Sequence, residues 1–190
     1  MKKIISDIKY KFLMLTMPKS SATRPKNTAA PINAKSFYDF QLTSIEAKPI
    51  DFNIYKGKKV LIVNIASQCG FTPQYAELEE LYQQHKGNLE IIGFPANDFL
   101  GQEPGSDTEI ATFCQRNFGL SFQLFQKSSV IKGKEQNALY NWLSNKDQNG
   151  WNTKVPTWNF CKYLINEKGE LVKFYNSSVK PMSPEIVKEI

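Results

Sequence analysis

The sequence predicts an α/β domain: a central mixed β-sheet flanked by helices and entered through an N-terminal β-hairpin. Three observations carry this. Two continuous apolar runs, "KKVLIVNIA" (58–66) and "NLEIIGFPA" (88–96), enclose a helical pattern; two alternating segments precede them; a second hairpin and a short helix close the chain. Strand, helix, strand in so short a span is a βαβ unit, whose strands pair in parallel.

Taken in order, "SFYDFQLTS" and "KPIDFNIY" alternate apolar and polar residues, as half-buried strands do, and join near residues 45–47. The Val- and Ile-rich run at 58–66 reads as a strand covered on both faces. In "TPQYAELEELYQQHKG", Tyr75, Leu78, Leu81 and Tyr82 fall at helical spacing, with Thr72 as the expected cap, Pro73 in the first turn and Gly87 as the stop. "SDTEIATFCQRNFG" carries a capping box, Ser106 with Glu109 three residues on, and ends at Gly119. A short helix is expected in "EQNALYNWLSN", a hairpin from "KYLINE" and "GELVKFYNS" across Lys168 and Gly169, and a last helix in "SPEIVKEI". This is the outline of a thioredoxin-like domain over residues 36–190, behind an extension at residues 1–35. In such a domain the first βα loop carries the reactive thiol, and Cys69 stands in that loop.

The net charge of +6 suggests nucleic acid until it is divided along the chain. Residues 1–35 hold eight of the 24 Lys and Arg against one acid, Asp7, whereas the remainder has 16 basic and 17 acidic residues. The basicity belongs to the extension. A duplex-binding body would carry its own basic face, so no nucleic acid partner is expected. The extension lacks the longer apolar core of a secretory signal, since "FLMLTM" is six residues, and Pro18 to Lys35 reads as a flexible linker. A transit peptide or a late start at Met17 is an alternative reading. No run approaches the ~20 apolar residues of a bilayer span, so stable membrane insertion is not expected, and the cytoplasm is the expected compartment, with organelle targeting through the extension as the alternative.

Three scattered cysteines, Cys69, Cys114 and Cys161, make neither a disulfide scaffold nor a C-x-x-C metal pair, and one histidine, His85, leaves little for a catalytic dyad or a zinc site. Cys69 is therefore either a packed small hydrophobe or a nucleophile. Close to a helix start, unsatisfied N–H groups and the helix dipole favour thiolate. In "CGFT", Thr72 occupies the place of the second thiol of a dithiol oxidoreductase, so a local C-x-x-C exchange is unavailable. A lone thiolate suits attack on a small electrophile such as a peroxide O–O bond, giving a sulfenic acid. With no histidine nearby, neutral donors must hold the sulfur.

"NIASQCGFTPQYAELEELY", "GFPANDFLGQEPGSDTEI" and "WNFCKYLINEKGELV" resemble, in order and spacing, the three signature segments of the glutathione peroxidase family. The resemblance covers residues 36–190. It implies a thiol peroxidase that reduces hydrogen peroxide and organic or lipid hydroperoxides, with Cys69 as peroxidatic residue and Gln102, Trp158 and Asn159 as its donors. It implies no cofactor, and thioredoxin or glutathione as reductant. Cys114 is the candidate resolving cysteine, although the family's thioredoxin-dependent pattern sets that thiol one residue later, a rotation of about 100° on a helix. The short segment before "WNF" resembles the family's monomeric branch. Two departures stand out: the family's "FPCNQF" is "FPANDF" here, so Ala96 replaces a cysteine and Asp98 a glutamine. The alternative function is a peroxide sensor or relay that passes Cys69 oxidation to a partner protein by disulfide exchange. His85 is read as a solvated residue at the end of a helix with no catalytic part, and Trp142, Trp151 and Cys161 as packing residues.

Overall fold

A computed structural model of the chain describes residues 21–28, 31 and 35–190. The expectations for residues 1–20, 29, 30 and 32–34 lie outside the described residues. The strands are β1 (Ser21–Thr23), β2 (Gln41–Thr43), β3 (Pro49–Asp51), β4 (Lys59–Ile65), β5 (Leu89–Pro95), β6 (Gln123–Leu124), β7 (Lys162–Ile165) and β8 (Leu171–Tyr175). The helices are α1 (Gln74–His85), α2 (Asp107–Phe118), α3 (Ala138–Leu143), α4 (Lys146–Asn149) and α5 (Pro184–Val187). Six strands form one mixed sheet in the order β1-β8-β7-β4-β5-β6; β4, β5 and β6 are parallel neighbours, and β7, β8 and β1 are added antiparallel.

The continuous apolar runs are needed because both faces of the sheet are covered. Successive strand residues point to opposite faces, and β4 divides accordingly. Leu61, Val63 and Ile65 join a core that includes Leu78, Leu81 and Ile110 from α1 and α2. Val60 and Ile62 join a second core with Phe37, Phe52 and the Leu139, Tyr140, Trp142 and Leu143 set of α3. At Gly93 on β5 a Cβ would stand 2.7 Å from Leu124 Cδ2 and 3.0 Å from Ile65 Cδ1, so only glycine lets β6 close against this strand.

The predicted N-terminal hairpin is present as β2 and β3, a separate two-stranded sheet. Its strands are shorter than the alternation suggests because 3₁₀ turns at Phe37–Asp39 and Phe52–Tyr55 turn Phe37, Phe52 and Tyr55 into the second core. α2 has the expected capping box at Ser106 and Glu109 and ends on Gly119 at φ 61°, whose N–H donates to Gln115 O. The helix expected between 135 and 145 is α3, capped by Asn137, and a second short helix, α4, which the sequence did not suggest, follows it, capped by Asn145.

Two expectations fail. Thr72 does not cap α1; the cap position is Pro73, with no side-chain bond, and the Thr72 hydroxyl is used elsewhere, as described below. The reading of 18–35 as linker fails at Ser21–Thr23, which pairs with the edge of β8, while Arg24 forms an ion pair with Glu170 at 2.9 Å. Composition hides this because main-chain hydrogen bonds to an open strand edge, rather than apolar side chains, hold the segment.

Lys162 of β7 is fully buried behind α1, its Nζ donating to Gln74 Oε1 at 2.5 Å and Val179 O at 2.6 Å. Burial pushes its pKa down to about 7 from an ordinary 10.5. The unfolded chain keeps that proton up to its ordinary value while the fold sheds it near 7, so the unfolded state binds more protons between the two and stability rises with pH across that window. Urea unfolding at intervals from pH 7 to 9.5 should show wild type gaining on Lys162→Met, more steeply above about pH 8 than between 7 and 8; parallel pH dependences would refute the assignment.

Candidate active site

The topology explains how three distant segments meet. β4 and β5 are parallel, so the loops that leave their C-terminal ends lie side by side. β7 runs antiparallel to β4, which brings its N-terminal approach, residues 158–161, to the same end of the sheet.

Cys69 lies in the turn between β4 and α1 and is 8% exposed. Thr72 builds this turn. Cys69 N–H donates to Thr72 Oγ1 at 3.0 Å, Thr72 Oγ1 donates to Ala66 O at 2.9 Å, and Thr72 N–H returns to Cys69 O at 3.0 Å. Phe71 N–H donates to the Cys69 sulfur at 3.4 Å. Residues 67 and 68 are tied to the neighbouring loop: Ser67 N–H and Oγ donate to Glu103 Oε2 at 2.8 and 3.1 Å, and Gln68 N–H donates to Gln102 O at 3.0 Å. That loop turns through Leu100 and Gly101 at φ 56° and 66° and is braced by Glu103 N–H to Asn97 Oδ1 at 2.9 Å.

Trp158 and Asn159 both approach the Cys69 sulfur and favour its anion. Gln102, itself buried, joins them through its Oε1, which accepts from Asn159 Nδ2 at 2.9 Å. Asn159 is fully buried, and its Oδ1 has no hydrogen-bond partner among the described residues. Trp158 is half-buried against Phe99, with ring centroids 5.7 Å apart. The four residues expected from the sequence to act together are therefore gathered at one end of the sheet.

The expected electrostatics are corrected. Burial raises the Cys69 pKa above its ordinary value, and the Phe71 N–H, Asn159 and Trp158, in that order, oppose the rise. α1 begins only at Gln74, five residues on, so the helix terminus is too remote to dominate, since its influence fades within a turn. The anion depends on local donors.

Cys114 stands apart from the cluster. It is 1% exposed, buried with Ile110 on the inner face of α2 while Phe113 is half-buried, and it belongs to the same core as Cys69. Burial pushes its pKa up to about 11; the Tyr75 hydroxyl opposes this and the Glu103 carboxylate adds to it. Asp98 faces away from the site: it accepts from Ser129 Oγ and Val130 N–H, both at 2.8 Å, and so pins the 128–130 loop. Ala96 is packed in the second core. Trp142 and Trp151 donate to Lys35 O and Leu171 O, and Cys161 is fully buried, as structural residues would be. No group of His, Cys, Asp and Glu able to hold a metal occurs among the described residues.

Sequence reasoning missed Glu103, the brace of Ser67, and Asn64, fully buried on β4 with its side chain bonded to residues 158 and 161. The signal for Asn64 was available: one amide inside an otherwise apolar strand.

A lone thiol among neutral donors, in the first βα loop of a thioredoxin-like sheet, defines a thiol-dependent oxidoreductase. The comparisons with known proteins narrow this. The family model for glutathione peroxidase matches residues 37–144, more than half of the chain. The glutathione peroxidase-like peroxiredoxin GPX5 of Chlamydomonas reinhardtii is 45% identical over 155 residues, covering 80% of this chain and 94% of its own. The glutathione peroxidase-like peroxiredoxin HYR1 of Saccharomyces cerevisiae is 44% identical over 160 residues, covering 81% and 98%. Among solved structures, T. cruzi GPX1 superposes with a TM-score of 0.61 at 30% identity, covering 82% of this chain and 93% of its own. A DsbF homologue from Corynebacterium diphtheriae, at 11% identity and a TM-score of 0.63, covers 92% and 96% and shares the fold. The chain belongs to the glutathione peroxidase family, and it is a peroxidase of the oxidoreductase class.

If Trp158 and Asn159 offset the burial of the thiol, Trp158→Phe and Asn159→Ala should each move the Cys69 pKa further up by removing a hydrogen bond to the anion. The pH dependence of Cys69 alkylation by iodoacetamide measures this, and an unmoved midpoint in both variants would contradict it.

Proposed function

We propose that this chain reduces hydroperoxides by a two-cysteine cycle, with Cys69 as the peroxidatic residue and Cys114 as the resolving one. The observation that carries the proposal is the donor set at the sulfur: Phe71 N–H, Trp158 and Asn159, with Asn159 held by Gln102. Cys69 sulfur attacks one peroxide oxygen, the O–O bond breaks, the thiol proton ends on the departing alkoxide or hydroxide, and the sulfur becomes sulfenic acid. Neutral N–H donors suit this step because they stabilise the thiolate and the charge that moves on to oxygen without fixing a counter-charge beside it.

The Cys114 thiol then loses its proton and attacks the sulfenic sulfur, forming a disulfide as the S–O bond breaks and the departing hydroxide takes up that proton and leaves as water; an external dithiol supplies two electrons and two protons to return both thiols. A thioredoxin-type dithiol is favoured over glutathione because Cys114 lies in the same core as Cys69, and because relatives bear the name peroxiredoxin. Cys114 is buried on a capped helix, so this step requires α2 to open locally. The short stretch between α4 and Trp158 supports a monomeric enzyme with room for bulky peroxides or a protein reductant. No described helix is long and apolar enough to cross a membrane.

The test is peroxide consumption by wild type, Cys69→Ser and Cys114→Ser with thioredoxin and with glutathione. Cys69→Ser should lose more than about a thousandfold, the scale of removing a nucleophile. Cys114→Ser should keep one stoichiometric turnover but lose thioredoxin-driven cycling. Full cycling in Cys114→Ser would eliminate the resolving role; unchanged consumption in Cys69→Ser would eliminate the whole scheme. Stoichiometric oxidation without cycling in wild type, with a partner protein trapped on Cys69, would mark a peroxide relay instead.

A further inference from the structure

The strongest unassigned feature is the amide of Asn64. It interrupts the apolar run of β4 on the face that Val60 and Ile62 give to the second core, while Cys69 belongs to the first core. An amide taken out of water costs several kcal/mol unless its hydrogen bonds are replaced, so its partners reveal its use. Nδ2 donates to Trp158 O at 3.0 Å and Oδ1 accepts from Cys161 N–H at 3.0 Å. The main chain of the same residue adds two more bonds, Phe160 N–H to Asn64 O at 2.6 Å and Asn64 N–H to Cys161 O at 3.4 Å.

Together these bonds bracket the tetrapeptide Trp158 to Cys161. Within it Phe160 adopts φ 64°, a left-handed conformation that bulky residues avoid and that persists only where surroundings enforce it. The reversal matters for direction. The Phe160 ring goes into the first core against Tyr75, at 5.2 Å between centroids, while the adjoining Asn159 is left to meet Cys69 and Gln102.

We propose that Asn64 is a positioning residue that acts on Cys69 through the main chain of residues 158–161, setting where the Trp158 and Asn159 donors stand. The proposal rests on the peroxidase reading for its catalytic meaning, though its geometric content does not. Without the bracket the peptide relaxes toward ordinary backbone geometry, the donors leave the sulfur, and the thiol is harder to ionise.

Asn64→Val removes both side-chain bonds at similar volume. At pH 7 it should slow Cys69 alkylation by iodoacetamide about tenfold, with the pH midpoint raised by about one unit, and slow the second-order reaction with hydrogen peroxide at least as much. The same substitution in a Trp158→Phe, Asn159→Ala background should change either rate less than about twofold, since residues acting as one unit are non-additive. An equal loss in both backgrounds, or none in a variant with native near-ultraviolet circular dichroism, overturns the proposal. If Asn64→Val does not fold, Asn64→Ser decides by the same readouts, because its hydroxyl is too short to span both main-chain groups. Alkylation requires no peroxide, so a wild type that fails to consume peroxide would refute the functional reading and leave this test standing.

Discussion

A thiol packed among apolar side chains resists losing its proton, yet the chemistry proposed for this site needs the anion. Cys69 embodies that conflict: burial raises its pKa, and three neutral donors pull in the opposite direction. A lysine or histidine beside the sulfur would ionise it more strongly but would leave a fixed charge where the proposed cycle forms an alkoxide and releases it. N–H groups allow the negative charge to pass from sulfur to oxygen with less reorganisation. Thr72, Glu103 and Asn64 serve this arrangement by fixing the three chain segments that bring the donors.

The sheet makes such a site inexpensive to assemble. Because β4 has a parallel neighbour on one side and an antiparallel neighbour on the other, two strand ends and one strand start coincide at one edge. Residues 69, 102 and 158–159 are then neighbours without any long excursion of the chain. The cross-links between these loops run from buried side chains to main chain, Asn64 to 158 and 161 and Glu103 to Ser67, while the exposed Asn97 braces Glu103 within its own loop. Ala96 and Asp98 lie outside these links, Ala96 packed in the second core and Asp98 accepting from Ser129 and Val130.

The four central strands of the sheet, both main helices and the four candidate site residues that the fold brings together were legible in the sequence because each rests on a local pattern: period-two or continuous apolar strands, helical spacing, a capping box, a family motif. What was illegible depends on partners remote in the chain. Thr72 before Pro73 has the local look of a helix cap, and only the fold shows its hydroxyl engaged by Cys69 N–H and Ala66 O. The Cys69 environment was misjudged for a related reason: a dipole argument needs to know where the helix begins, and α1 starts later than the sequence suggests. β1 and β6 are too short to show a pattern, and each exists because an existing strand offers its edge.

β1 lies outside the span that defines the family match, residues 37–144, yet it occupies the free side of β8. Sheets that end in an uncovered strand invite intermolecular pairing. The short Ser-Ala-Thr segment covers that side, and it comes from a part of the chain that precedes the family match. Removing residues 1–35 alone would keep Cys69, Gln102, Trp158 and Asn159 while baring the β8 edge and leaving it open to pairing between copies.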